Sequence, residues 1–286
     1  MQSKNNNLLG ISFMIFSMFC LSVNDMTYKY LSFHFPIWES IFFRALSGCI
    51  VAIILVFYFG FDKLKTKKPI GHAIRAFSAS GCVVFYIYGI NKLMLSENIA
   101  IAHSAPIIAA FLAVPILGER IGILRTSAIL IGFIGVLIIV KPGTDLFKLE
   151  SLYPLISACF MASVYLSTRS VMITDSSIAI IFYYSFALLV TSLIFFPSNF
   201  IIPNIYQLAF AMSLGVMGSI GHFFMSQAAK NADVAVTSPF EYSSFIFVGL
   251  MGFLIFSEVP TFSIYIGGII IISSGIFIAY RERKNN

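Results

Sequence analysis

Residues 117–143 read LGERIGILRTSAILIGFIGVLIIVKPG. Between the charged turn at Glu119-Arg120 and the Lys141-Pro142-Gly143 stop lie twenty residues, 121–140, that are almost wholly apolar. A run of that length matches the roughly 20 residues a helix needs to cross a bilayer core. Ile and Val are weak helix formers in water, yet in lipid every backbone donor must be paired within its own segment, so the run is a helix and not a strand. A transmembrane barrel would alternate polar and apolar residues, which this stretch does not.

Working outward, the same pattern recurs. Apolar runs separated by polar or Pro/Gly punctuation give spans at 8–31, 36–58, 72–95, 98–117 and 121–140, then at 152–171, 177–196, 205–227, 234–256 and 262–280. The fold class expected is an all-α membrane protein of ten transmembrane helices. Composition agrees: of 286 residues 59% are hydrophobic and 10% charged, and the mean hydropathy is +0.93. Such a surface excludes an ordinary soluble domain, and ten spans leave only short connectors. The polar start at residues 1–7 followed by a full-length span argues against a cleaved signal peptide. Cys20, Cys49, Cys82 and Cys159 sit inside apolar runs without metal-like or pairing patterns and read as packing residues.

Charge sets the orientation. With Arg44 and Arg75 set aside as lying within spans, one set of alternate connectors holds Lys4, Lys63, Lys65, Lys67, Lys68, Arg120, Arg125, Arg169, Lys230, Arg281, Arg283 and Lys284. The other holds Lys29, Lys92, Lys141 and Lys148. The positive-inside bias therefore puts both termini in the cytoplasm, and the net charge of +6 is a topological signal and no mark of nucleic-acid binding. A shift of 139 residues lays Glu119 on Glu258 and brings the first five spans over the second five. Five is odd, so the copies should cross the membrane in opposite senses, giving inverted repeats at 1–143 and 144–286.

No catalytic constellation is present: no metal-binding His motif, phosphate loop or partnered nucleophile. No cofactor is expected, and the partners expected are a small-molecule substrate and the lipid bilayer, in a monomer or homodimer. Ionisable groups inside spans carry more information, because each costs about 2.5 to 3.5 kcal/mol at the helix centre on insertion scales. Glu241, in Ser238-Pro239-Phe240-Glu241-Tyr242, is the leading candidate. Pro239 frees the Ala235 carbonyl one turn below, and the pair favours a cation; a protonated Glu bonded to another helix is the alternative. His103, in the run just before Pro106, and His222, mid-span, can shuttle protons or donate to a carboxylate, or simply bridge helices. Asp25 and Lys29, four residues apart, are expected to pair. Glu39 and Arg44 lie about 140° apart on their helix and do not pair, so each looks elsewhere: Arg44 to a structural partner on another helix or, as a candidate site residue, to a substrate carboxylate. Tyr86, Tyr165, Tyr184 and Tyr242 carry mid-span hydroxyls that need partners and can line a cavity. Glu119 and Glu258 are expected to cap the helix that follows each, and Gly215, Gly218 and Gly221 to allow close helix packing.

The run Ala105-Pro106 through Leu117-Gly118-Glu119-Arg120, the Ile131-to-Val136 segment ending in Lys141-Pro142-Gly143, and Pro239-Phe240-Glu241-Tyr242 leading to Ser257-Glu258-Val259-Pro260 together resemble the drug/metabolite transporter superfamily, EamA branch. The resemblance covers nearly the whole chain. Within the branch it is most similar to rickettsial-type S-adenosylmethionine uptake transporters. That resemblance implies alternating-access uptake of a polar metabolite across the bacterial inner membrane, in exchange for S-adenosylhomocysteine. An amino-acid or drug exporter of the same branch is the alternative, and a membrane-embedded enzyme a remote one. Glu241, aromatic faces, and Arg44 or a histidine would meet the sulfonium, amine and carboxylate of such a ligand.

Overall fold

A computed structural model describes residues 7–117, 123–141, 147–171, 175–232 and 237–285. These residues form eleven α-helices and no strand: α1 (Asn7–Ser32), α2 (Ile37–Phe59), α3 (Pro69–Lys92), α4 (Leu95–Ala102), α5 (Ala105–Leu117), α6 (Ile123–Val140), α7 (Leu152–Val171), α8 (Ser177–Ile194), α9 (Ile205–Asn231), α10 (Ser243–Phe256) and α11 (Phe262–Asn285). Five segments are long and apolar enough to cross a membrane unaided, in α1, α2, α3, α7 and α9, and shorter apolar helices lie in α6, α8, α10 and α11.

The terminators are local chemistry. Gly60 ends α2 at φ 95°, a conformation open to glycine. Ser176 caps α8 by accepting from Ala179 N at 3.1 Å, and Asn204 with Gln207 closes a capping box at the start of α9.

Two expected spans are not continuous. The fourth begins at Leu95 and breaks at His103-Ser104, dividing into α4 and α5; the ninth opens as a 3₁₀ turn, Ser238–Tyr242, before α10. The breaks correspond, since 139 added to 103 gives 242. Apolarity on all sides hides such a break from the hydropathy pattern, because the interrupted backbone faces protein and not lipid. Ala235 and Glu119 lie outside the described residues, as does the Pro239 side chain.

Packing runs mainly between the halves: α1 on α9, α3 on α7, α6 on α11, α2 on α8 and α9, α3 on α8, α1 on α10 and α5 on α7. Small residues permit the close crossings. A Cβ on Gly135 would stand 2.8 Å from the Gly267 carbonyl, and one on Gly215 2.6 Å from the Arg44 carbonyl. Gly215 and Gly221, which meets Leu21 and the Ser17 carbonyl, thus pack as expected.

Each end of the bundle is tied across the halves. At one end Asp175 accepts from Thr66, from Lys67 N at 3.3 Å and from His72 Nε2 at 2.8 Å, while Ser176 donates to the Lys63 carbonyl. At the other, Lys29 donates to the Leu93 carbonyl at 2.7 Å and pairs with Glu258, and Lys148 pairs with Glu97 at 2.9 Å. Lys29 therefore does not pair with Asp25. Inside a bundle the contacts across helices outrank the weak i,i+4 attraction of an exposed helix. Glu258 does serve a helix N-terminus, but not that of the following helix: its Oε2 accepts from Leu95 N at 2.8 Å, at the start of α4.

Candidate functional site

The polar interior is built around Arg44 on α2. Its Nη1 donates to Asn24 Oδ1 at 3.0 Å and to Tyr28 Oη at 3.4 Å, and its Nη2 to Tyr184 Oη at 3.4 Å. The guanidinium also lies 5.6 Å from the Tyr28 ring centroid. All of these partners are neutral, and no carboxylate among the described residues forms an ion pair with Arg44. Asn24 is itself fixed by donating to the Leu214 carbonyl, and Gly218 leaves room for the Arg44 fork, whose Nη2 would lie 3.5 Å from a Cβ there. A cleft opens at this point, lined by Arg44, Gly48, Tyr184, Ser185, Ser219 and His222 among others.

Asp25 sits beside this group. Its Oδ2 accepts from Tyr86 Oη at 2.8 Å, and it is within electrostatic range of Arg44 without touching it. Asn98, fully buried on α4, donates to the Tyr86 carbonyl at 3.4 Å.

The second charged centre is Glu241, in the 3₁₀ turn of the ninth span. Among the described residues its carboxylate has no hydrogen-bond or ion-pair partner. Tyr165 and Tyr242 are within its electrostatic range. Tyr165, on α7, remains 39% exposed. Cys82, on α3, meets Ser157 of α7 at 3.3 Å.

His103 ends α4 at the first break. Its Nδ1 lies 2.8 Å from the Ile99 carbonyl and its Nε2 3.2 Å from Ser244 Oγ on α10. Its ring stands 5.3 Å from that of Tyr242 and 6.2 Å from that of Phe245. The two breaks thus meet through aromatic contact. Tyr242 points its hydroxyl at Gly275 of α11 and so offers a ring face, and no hydroxyl, to the interior.

The nine candidates Glu241, His103, His222, Arg44, Asp25, Tyr86, Tyr165, Tyr184 and Tyr242 come from eight of the predicted spans; the structure brings Arg44 together with Tyr184 and His222, Asp25 with Tyr86, and His103 with Tyr242. Sequence reasoning missed Asn24, Tyr28 and Asn98, and it used Arg75 only to exclude it from a charge count. The available signal was the cost of any polar side chain in an apolar span.

The family model for EamA-like transporters matches residues 8–141 and again residues 149–280. The chain belongs to the EamA-like transporter family. It is 31% identical over 277 residues to the S-adenosylmethionine uptake transporter of Rickettsia felis, covering 97% of this chain and 94% of that protein. The corresponding transporter of Rickettsia prowazekii is 30% identical over 97% of this chain and 95% of its own length. Similarity extends to the pseudopaline exporter of Pseudomonas aeruginosa, 25% identical over 96% of this chain and 97% of that one. One solved crystal structure, 16% identical, aligns over 98% of each chain with a TM-score of 0.60, a likeness of fold. This EamA-family chain is a multi-pass protein of the bacterial inner membrane, and its relatives are named as transporters.

Proposed function

We propose that this chain is a secondary carrier that takes up S-adenosylmethionine by alternating access, releasing S-adenosylhomocysteine in exchange. The observation that carries the reading is two intramembrane ionisable side chains of opposite sign, Arg44 and Glu241, neither in an ion pair among the described residues. A charge inside a membrane protein needs a partner or a hydrated cavity. A ligand with a carboxylate at one end and cationic groups further along satisfies both at once. Arg44 would take the carboxylate through charge-assisted hydrogen bonds. Glu241, with the faces of Tyr165 and Tyr242, would take the sulfonium or amine. His222 lines the Arg44 cleft and His103 stands beside Tyr242, and Asp25 with Tyr86 stands close enough to Arg44 to receive the α-amino group.

The packing supports an inverted repeat at 1–143 and 144–286. Exchanging the halves turns the α1 and α9 contact into that of α7 and α3, and turns α2 on α9 into α8 on α3. It leaves α2 on α8 and α6 on α11 unchanged. Site residues on broken helices at the interface of such repeats fit carriers that rock one half against the other. The basic connectors favour a cytoplasmic side for the Lys63–Lys68 end and both termini.

Proteoliposomes loaded with unlabelled S-adenosylmethionine or S-adenosylhomocysteine should accumulate labelled S-adenosylmethionine by counterflow. Failure with both, alongside counterflow of another amino acid, would replace the substrate. The relation to a pseudopaline exporter favours a second reading, export of a metabolite, which net efflux against a gradient would reveal.

A further inference from the structure

Arg75 is a second intramembrane arginine that the reading above leaves without a task. It lies on α3 six residues after Pro69, about 9 Å along the helix from the Lys63–Lys68 end. Arg44 lies seven residues after Ile37, about 10 Å from the opposite end of the bundle. Only the Nε of Arg75 is engaged among the described residues, donating to Thr168 Oγ1 on α7 at 2.8 Å. Among the described residues no carboxylate pairs with it and nothing holds its two terminal nitrogens. The side chain is half-buried, and α3, which carries it, packs against α8, which carries Tyr184. Tyr184 lies seven residues inside α8 and His222 nine residues before the end of α9, at depths comparable to that of Arg75. Tyr184 and His222 are also the residues that flank Arg44, yet Arg75 does not line the Arg44 cleft.

We infer that Arg75 is a second anion station, which receives the substrate's carboxylate after it leaves Arg44, with Tyr184 and His222 between the two. A carboxylate bound by a single desolvated guanidinium leaves slowly. A second fork at another depth offers it an equivalent partner, and transfer between weak sites in series is what allows passage to be both selective and fast. A planar fork with free terminal nitrogens is suited to carboxylate geometry. The identity of the cargo rests on the carrier reading, whereas the access of an anion to Arg75 does not.

Phenylglyoxal modification, read by mass spectrometry on the protein in native membranes, tests that access directly. An adduct should form at Arg75, and acetate or succinate should slow it more than chloride at equal ionic strength. A fork modified only after denaturation, or one that carboxylates do not shield, overturns the station whether or not S-adenosylmethionine is carried. For transport, Arg75→Gln should lower the turnover of S-adenosylmethionine about tenfold with KM within about twofold. Decarboxylated S-adenosylmethionine should move at the wild-type rate. Equal loss for both substrates, or a matching loss in Thr168→Val, would make Arg75 a mere tie between α3 and α7. If the wild type carries neither compound but carboxylates shield Arg75, the station stands and the cargo assignment falls.

Discussion

Replacing Arg44 with Met separates the stability of the bundle from its affinity for substrate. The change removes a charge whose insertion costs about 2.5 to 3.5 kcal/mol at mid-span. It also removes one good hydrogen bond, to Asn24 at 3.0 Å, and two long ones of 3.4 Å to Tyr28 and Tyr184. A bond to a charged group contributes about 1.5 to 3 kcal/mol, and the long ones less. Asn24 keeps its bond to Leu214, and the cleft beside Tyr184 leaves that hydroxyl open to water. The terms nearly cancel, so unfolding in detergent should shift by no more than about 2 kcal/mol. Binding behaves differently, because losing one partner of a desolvated charge pair costs about 2 to 5 kcal/mol. The half-saturation for S-adenosylmethionine counterflow should then rise at least about thirtyfold, while decarboxylated S-adenosylmethionine is unaffected. Counterflow within about threefold of wild type would refute the carboxylate assignment, and loss of folded protein would refute the stability argument.

Glu241→Gln keeps the shape of the 3₁₀ turn and removes the charge; uptake should be lost while membrane insertion, measured by fractionation, is unchanged, and wild-type uptake would discard Glu241 as the cation site. Gly215→Val drives a side chain into the Arg44 carbonyl and Ser47, and should destabilise the protein by about 1 to 3 kcal/mol through overpacking, read as a lower melting temperature in detergent. Lys29→Met leaves Glu258 as a buried carboxylate held only by the α4 N-terminus, and should cost about 3 to 5 kcal/mol. Adding Glu258→Gln should recover part of that loss, and additive losses in the double variant would mean the pair is not coupled.

The spans were legible because lipid admits so few solutions: each apolar run must pair its own backbone, and the turn residues Gly60, Ser176 and Asn204 mark three of the boundaries. The grouping of connectors was legible for a similar reason. Lys63 and Thr66 do meet Ser176 and Asp175, and Lys148 meets Glu97, each pair on the shared side that alternation requires. The breaks at His103-Ser104 and Ser238–Tyr242 were not legible as breaks, although Pro106 and Pro239 stand beside them. Proline marks a place where a helix can open, but whether it opens depends on protein, not lipid, facing the freed groups.

Partners were the least legible part, and the reason lies in the difference between a helix in water and one in a bundle. Spacing along one helix brought Asp25 to Lys29, and sequence adjacency sent Glu258 to the next helix. The chemistry in each expectation was sound: a carboxylate seeks a donor, and a helix N-terminus seeks an anion. What spacing cannot supply is the identity of the neighbouring helix. Asp25 found Tyr86 on α3, and Glu258 found Lys29 and the start of α4. These two outcomes are linked through α1 and α4. Lys29 anchors the beginning of α4 at one end of the bundle, while one turn deeper Asp25 holds Tyr86, against which Asn98 of α4 packs. The short helix α4 is thus held twice from outside its own sequence, at its start by Glu258 and at Asn98 by the Tyr86 carbonyl.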